Sequence, residues 1–585
     1  MIRFLVWRLK HISDNNFILI TAGLIGLFSG LAAVILKSTV HVIIDYLEVS
    51  RGFFGFNYFY LAYPLIGILL TTLVAKYIFG ENLGHGITQI LYAISKNSSI
   101  IRRTRMYSRM ITSAITVGFG GSVGLEAPIV VTGSAIGSNL ARLLHLSYKK
   151  RTLLLGCGAA GAISAIFNSP VTGVIFAMEV ILTEVKISRF IPLLMASVCG
   201  QLVSIVLLGE DILFSFRLQD PFTASDTGYF LLFGALCGMI SLYFTRVMYV
   251  FESAVKKIQN DFGRAFIGGI SLAVIVLTFP PIYGEGYETI KNLLAGDSLE
   301  VLSHSFFSAL SEHQATILLF FLFVLLIKPL ATALTIGAGG SGGIFAPSLF
   351  MGGLSGYLFS STSNTIFGTS LSTSNFTLVG MCGVMSGVLH APLTAIFLIA
   401  EITSGYMLFV PLMLVSAISF STISYFEKHS IYTKRLIEAG DLIQYDKDQI
   451  VLSLIDLKKI VEKDLLIIRP EATLNDLVRL VKKSKRNIFP VVNDQHELEG
   501  IVTLDDIREM MFDEESRHNV IIQTIMQKPP AFVSPQEKMQ SVMNKFEVTQ
   551  AWNLPVIDEG RYLGFISKSR IFNAYRNKLI RQGAE

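Results

Sequence analysis

The hydrophobic pattern along this chain changes character twice. Its first sixteen residues, MIRFLVWRLKHISDNN, are basic and amphipathic. They lack a small-residue cleavage site after their apolar part, which predicts a surface helix rather than a signal peptide. Long apolar runs then begin at Phe17 and recur with short breaks to about Phe426, clear examples being 17–47, 58–79, 190–208, 228–251, 316–336 and 406–425. Several reach the roughly 20 residues a helix needs to cross a bilayer. Others, at 118–137, 152–166, 337–356 and 378–390, are too short or too rich in glycine to span as simple helices. Such segments are tolerated at membrane depth only where protein buries them or they line a cavity. The pattern predicts a polytopic, all-α membrane domain with broken helices over 17–433. From about 463 the runs shorten into β-branched strands alternating with charged helices, which predicts a soluble α/β module over 463–585, joined by a linker at 434–462.

Both parts repeat internally. GGSVGLEAP (Gly120–Pro128) aligns without a gap on GGSGGIFAP (Gly339–Pro347), and Gly133 and Gly137 then fall on Gly352 and Gly356. Further on, GAISAIFNSPVTGVIFAME (Gly161–Glu179) aligns on GVMSGVLHAPLTAIFLIAE (Gly383–Glu401), matching Ser164 with Ser386, Pro170 with Pro392 and Glu179 with Glu401. Similar composition alone would not keep the two offsets, 219 and 222, within three residues of each other. The membrane domain therefore reads as two homologous halves, about 17–208 and 228–426, an arrangement that places a binding site at their interface near mid-membrane. In the soluble part, NIFPVVNDQHELEGIVTLDDI (487–507) resembles NLPVIDEGRYLGFISKSRI (553–571), each unit reading strand, turn, strand, helix. The two copies cover about 463–515 and 521–577.

Composition sharpens the division. Hydrophobic residues make up 52% of the 585 and charged residues 16%, against roughly 25% charged in a soluble protein. Of the 91 charged residues, 43 fall from Asp441 onward, leaving 48 for the first 440 positions. A soluble surface of that size would need far more charge. The net charge of +5 comes without a basic tract interleaved with aromatics, so no nucleic-acid partner is expected. Cys157, Cys199, Cys237 and Cys382 sit in apolar stretches and read as small hydrophobes, not as a disulfide framework or metal site.

The glycine-rich segments can carry chemistry without side-chain charge. The first turn of a helix presents unpaired N–H groups and a partial positive charge, so it binds anions. Gly84-His85-Gly86-Ile87, Gly124-Leu125-Glu126-Ala127-Pro128 and Gly343-Ile344-Phe345-Ala346-Pro347 supply three such starts. Any one of them alone is better read as close helix packing through small residues; three on one chain, two of them repeat-related, favour the anion reading. Glu126 stands where the second half has Phe345. A carboxylate at membrane depth costs roughly 3 kcal/mol to insert and marks a functional position. At a helix start it can occupy the anion site itself, compete with a free anion, and release the site when protonated.

These residues resemble the CLC family of chloride channels and chloride/proton exchangers. The three motifs look like that family's GSGIP, GREGP and GIFAP signatures, and the tail resembles the paired CBS domains of many members. The likeness runs from about Phe17 to Tyr575. It implies a homodimer in the cell membrane with one anion pathway per subunit, two inverted-topology halves, both termini in the cytosol, and chloride as the bound ligand with no cofactor required. Carried over by position, Glu126 matches the external gating glutamate, and Gly124, His85 and Gly86 fall in the anion-binding motifs. Ile344 and Phe345 match the residues whose amides bind the central anion, and Tyr432 matches the tyrosine whose hydroxyl donates to it. In the tail, Thr503 and Asp506 match the pair with which nucleotide-binding CBS domains hold ribose. This leaves open an adenine nucleotide site or a purely structural, dimerising module.

The chain also departs from the family pattern. His85 replaces the usual serine, which leaves the preferred anion open among chloride, nitrate and fluoride; Thr88 replaces a proline, and Leu125 and Ala127 alter the second motif. Pro128 is kept, which leans away from the fluoride-exporting branch. Exchangers commonly carry a second glutamate on the inner proton route, directly after the position of Glu179; here that residue is Val180, which cannot relay a proton. The expectation is a passive, voltage- or pH-gated chloride channel, with chloride/proton antiport as the alternative. A CBS-linked divalent-cation transporter would need several oxygen ligands around its ion, whereas these motifs offer N–H groups and one acid. No nucleophile–base pair or metal-ligand cluster points to an enzyme.

Overall fold

In the computed structural model the described residues are 8, 10–54, 62–81, 84, 86–182, 190–209, 222–297, 301, 314–403, 405–438, 452 and 455–583. Half of the amphipathic segment at 1–16 and much of the expected linker therefore lie outside the described residues. Two compact units divide the chain, Met1–Leu442 and Ile443–Glu585.

The first unit runs through one order of eight helices twice. The first half contains α1 (Asp14–Phe54), α2 (Ala62–Leu73), α3 (Gly86–Lys96), α4 (Ser108–Gly118), α5 (Glu126–Leu143), α6 (Tyr148–Phe167), α7 (Pro170–Phe176) and α8 (Phe190–Leu208). The second contains α9 (Thr227–Lys256), α10 (Asp261–Thr278), α11 (Tyr287–Ala295), α12 (Gln314–Gly337), α13 (Phe345–Phe367), α14 (Thr373–Leu389), α15 (Pro392–Ile402) and α16 (Phe409–Phe426), so that α1 matches α9 and α8 matches α16. A short helix, α17 (Ile431–Glu438), follows and runs through the position expected to begin the linker. Among the described residues, eight helical stretches are long and apolar enough to cross a membrane. One of them, Tyr148–Phe167, corrects an expectation: the apolar run at 152–166 looked too short to span. The helix gains its length from the basic turn Lys149-Lys150-Arg151, and it is mostly buried inside the protein.

Helix faces follow residue size. On α1, Ile20, Leu24, Leu27, Leu31 and Ile35 recur every three or four positions and are exposed, as a lipid-facing stripe would be. The opposite face carries Gly26, where a Cβ would come within 2.1 Å of the Ala196 carbonyl oxygen on α8, so the two backbones touch. The α5–α6 and α13–α14 pairs meet in the same way and at matched positions. A Cβ on Gly133 would lie 2.2 Å from the Gly158 oxygen, and one on Gly352 2.2 Å from the Gly380 oxygen. Small residues let membrane helices approach this closely where no hydrophobic effect drives them together.

The halves are joined by contacts that occur in matched pairs. The Gly124 N–H donates to the Gly343 carbonyl at 2.9 Å and the Gly343 N–H to the Gly124 carbonyl at 2.8 Å, an antiparallel bridge. Ser122 N–H donates to Thr335 Oγ1 at 3.2 Å, and its counterpart Ser341 N–H to Thr116 Oγ1 at 3.0 Å. Glu401 accepts from Val171 N (3.0 Å), Thr172 N (2.8 Å) and Thr172 Oγ1 (2.6 Å) at the start of α7. Glu179 accepts from Leu393 N (3.2 Å), Thr394 N (2.8 Å) and Thr394 Oγ1 (2.7 Å) at the start of α15. Such reciprocity is the mark of a two-fold relation. The two glutamates cap orphan N–H groups of the opposite half.

The second unit uses the same device. Strands β1 (Ile488–Val492) and β2 (Leu498–Thr503) form one antiparallel pair, β3 (Asn553–Asp558) and β4 (Arg561–Ser567) another, each with a register shift at its matched position. Helices α18 (Leu474–Lys483), before β1, and α19 (Met539–Thr549), before β3, pack their apolar faces on these pairs, and α20 (Lys568–Gly583) follows β4. Glu462, leading into the first copy, bridges Phe565 in the second, while Gln527, leading into the second, bridges Ile501 in the first. Each copy thus completes the other's sheet edge.

Replacing Glu179 or Glu401 with Gln removes the charge from these caps and turns an NH2 toward N–H donors. Each substitution is expected to lower the thermal unfolding midpoint in detergent, at a cost of about 1–3 kcal/mol, and the two losses should be similar. Fluorescence-monitored melting measures this.

Candidate functional site

The sequence-predicted helix starts come together where the two halves meet. The bridge between Gly124 and Gly343 sets the first turns of α5 and α13 side by side. The start of α3 packs against α5: a Cβ on Gly86 would fall 2.6 Å from Val131 Cγ2. A Cβ on Gly124 would stand 2.0 Å from Glu126 Oε2, so any side chain there would displace the carboxylate. Ile344 and Phe345 are both 1% exposed and form the N-terminal cap and first residue of α13, where amides lack intrahelical acceptors. The Phe345 ring is fixed by stacking on Phe167, with centroids 5.3 Å apart, and by an edge contact to Phe176. His85 lies outside the described residues.

Glu126 is the first residue of α5 and is buried. Its Oε1 accepts a 2.6 Å hydrogen bond from the Tyr287 hydroxyl on α11. The adjacent Leu125 N–H donates to Glu285 Oε1 at 3.0 Å. The carboxylate is therefore held over the start of its own helix by a neighbour from the opposite half.

Tyr432 lies on α17, is 2% exposed, and its hydroxyl has no hydrogen-bond partner among the described residues. Its helix is tied down by bonds the sequence reading missed. Thr88 Oγ1, at the position where the family has proline, donates to the Tyr432 carbonyl at 3.0 Å and so links α3 to α17. Arg435 makes a two-pronged pair with Glu252 on α9, at 2.7 and 2.6 Å, and Lys256 joins that carboxylate at 2.6 Å. A fully buried carboxylate is stable only with such partners. Lys434 pairs with Glu427 at 2.7 Å.

Val180 occupies a π-helical turn, Ala177–Ile181, directly after the cap Glu179, and packs against the apolar core. Tyr287, Glu285 and Lys328 are further residues at or near the site that the sequence reading passed over. One visible signal was a lysine inside the apolar run 316–336; another was the GEGY loop at 284–287. Among the described residues no cluster of His, Cys, Asp and Glu could hold a metal. Cys157, Cys237 and Cys382 are buried, while Cys199 is only partly so, and all four are unbridged.

In the second unit Thr503 and Asp506 bond each other. Thr503 Oγ1 and N–H both donate to Asp506 Oδ2 at 2.7 Å, and Gln527 Nε2 donates to Asp506 Oδ1 at 2.8 Å. This is a capping box at the end of β2.

Residues 66–424 match the family described as voltage gated chloride channel, and residues 457–513 and 522–577 match the CBS domain. The chain belongs to the CLC family, whose members are channels and transporters rather than enzymes, and it is a membrane protein of anion transport. It is 26% identical over 554 residues to "Chloride channel protein CLC-f" of Arabidopsis thaliana, covering 84% of this chain and 69% of that one. It is 27% identical over 427 residues to "H(+)/Cl(-) exchange transporter ClcA" of Vibrio vulnificus, covering 70% and 86%. Among solved structures, a eukaryotic CLC transporter aligns with a TM-score of 0.62 at 18% identity, covering 95% of this chain and 99% of that one. A slow cyanobacterial chloride/proton antiporter aligns at 0.63 and 19%, covering 74% and 100%. These likenesses establish the fold, with its CLC membrane domain and tandem CBS tail.

Tyr287→Phe removes the hydroxyl that donates to the Glu126 carboxylate, the one side-chain donor to it among the described residues. A hydrogen bond to a charged acceptor contributes about 1.5–3 kcal/mol, so anion efflux from liposomes should rise about ten-fold or more at neutral pH if this bond holds the path shut.

Proposed function

We propose that this protein conducts chloride passively, with Glu126 as its gate. The observation that carries the reading is the placement of one carboxylate at the junction of two helix starts. Glu126 lies at the first turn of α5, beside Gly124 and Gly343, with the amides of Ile344 and Phe345 opening α13. A chloride ion and a carboxylate make the same demand on such a site, which is N–H donors in a low-dielectric setting. Protonated, Glu126 loses its claim on those donors and an anion replaces it. The buried hydroxyl of Tyr432 supplies a further donor. Gly86, at the start of α3, and His85, which precedes it in the sequence, complete the anion-binding set.

The lean toward a channel rests on Val180. Its isopropyl group packs on apolar neighbours and offers no proton acceptor after Glu179, whose own oxygens are engaged in capping α15. Proton movement coupled to the anion would then require water alone on the inner side. A second reading, chloride/proton antiport, is favoured by the titratable gate itself and by curated relatives named as exchange transporters. We further infer a homodimer in the cell membrane, with one pathway per subunit and a cytosolic CBS module. Thr503 and Asp506 are the candidate contacts of that module for an adenine nucleotide, and to bind ribose they would have to exchange part of their mutual capping bonds.

Reconstituted protein in chloride-loaded liposomes should release chloride without moving protons, with chloride and pH recorded together and the assay repeated with nitrate and fluoride. Proton uptake driven by a chloride gradient would replace the channel reading with antiport. Glu126→Gln should give flux that no longer responds to pH; an unchanged response would remove Glu126 from the gate.

A further inference from the structure

The loop that delivers Tyr287 to the gate has a counterpart in the first half. Gly84-His85-Gly86-Ile87 opens α3, and Gly284-Glu285-Gly286-Tyr287 opens α11, at the same place in the eight-helix order. In the Gly-x-Gly sequence pattern Glu285 thus corresponds to His85. Each loop is held by a buried cation at the matched position of the following helix. Arg109, 3% exposed on α4, donates from Nη1 to the Gly84 carbonyl at 3.1 Å. Lys328, fully buried on α12 and offset from Arg109 by the repeat interval of 219, donates from Nζ to the Ile282 and Gly284 carbonyls, each at 3.2 Å. The second loop reaches the start of α5 with two side chains. Tyr287 bonds the Glu126 carboxylate, and Glu285 accepts from Leu125, the residue before it.

We propose that Glu285 is a positioning residue for the gate: a fixed carboxylate that shares the start of α5 with Glu126 and sets the proton concentration at which Glu126 leaves it. This inference rests on Glu126 being the gate. Two carboxylates at one helix start repel when both are ionised, and the mobile one gives way by taking a proton. Lys328 moderates the repulsion from behind the loop. Among the described residues, the other charged or titratable groups facing the pair are Lys37 on α1, Tyr287 on α11 and Tyr432 on α17. The tyrosines carry no charge at neutral pH and Lys37 adds to the positive side, so Glu285 is the acid that shares protons with Glu126; burial and the Glu126 charge push its own carboxyl up to about 8.

The test is the pH dependence of chloride efflux from liposomes holding the full-length protein. Glu285→Gln keeps an oxygen for the Leu125 N–H and removes only the charge. With the second acid of the pair gone, Glu126 needs a higher proton concentration to leave, so the flux midpoint should move to lower pH by about one unit, a ten-fold change in proton concentration. Glu285→Asp keeps the charge and should restore the original midpoint. Both variants are repeated with Glu126→Gln, which should abolish the response. A Glu285→Gln midpoint equal to that of the unaltered protein, with Glu126→Gln still abolishing the response, overturns this inference alone. A pH response that survives Glu126→Gln overturns the gate reading, and this inference with it.

Discussion

Two backbone hydrogen bonds between Gly124 and Gly343 organise the membrane unit. They force the starts of α5 and α13 to meet, and everything chemically unusual nearby depends on that meeting. An amide at a helix start attracts negative charge, but one start alone is a weak site. Two starts side by side, inside an apolar core, make a place where an anion needs no lysine or arginine beside it. Glycine on the α5 side leaves room for the Glu126 carboxylate to fold back over Gly124. The lipid-facing stripe of α1 and the glycine contacts between helix pairs then hold that geometry from outside.

Much of this was legible in the sequence, for identifiable reasons. The repeat appeared because glycines that permit backbone contact, such as Gly133 and Gly352, cannot vary without separating the helices, so both halves retained them. The glutamates at 179 and 401 stood out for the same reason, as charges in apolar surroundings. Helix length was less visible. The run at 152–166 hid a 20-residue helix because its first turn is basic, and hydropathy undercounts a helix that starts in polar residues. The residues that fasten the site were hidden more deeply. Tyr287 and Glu285 lie about 160 positions from the residues they bond, and no local pattern announces such a contact. Thr88 read as a defect in a motif, yet its hydroxyl supplies the bond that a proline could not.

The two units solve different problems with one plan. The membrane unit must bury polar backbone in an apolar medium, and the soluble unit must protect the edges of two very short sheets. In both, a duplicated segment gives a piece of itself to its sister: Glu401 to α7 and Glu179 to α15, the lead-in at Glu462 to β4 and that at Gln527 to β2. Neither copy is complete alone, so the pair behaves as one cooperative body.

That exchange has a consequence for how the chain is made. When the ribosome has finished the first half, at about residue 208, the amides of Val171 and Thr172 have no acceptor, because Glu401 is still about 190 codons away. The early helices must wait within the bilayer or its insertion machinery as a provisional assembly, open at the surface that will later become the interior. Only the arrival of residue 401 closes it. Biogenesis therefore ends in a docking step between two inserted halves, and the site for the transported ion comes into being at that step rather than helix by helix.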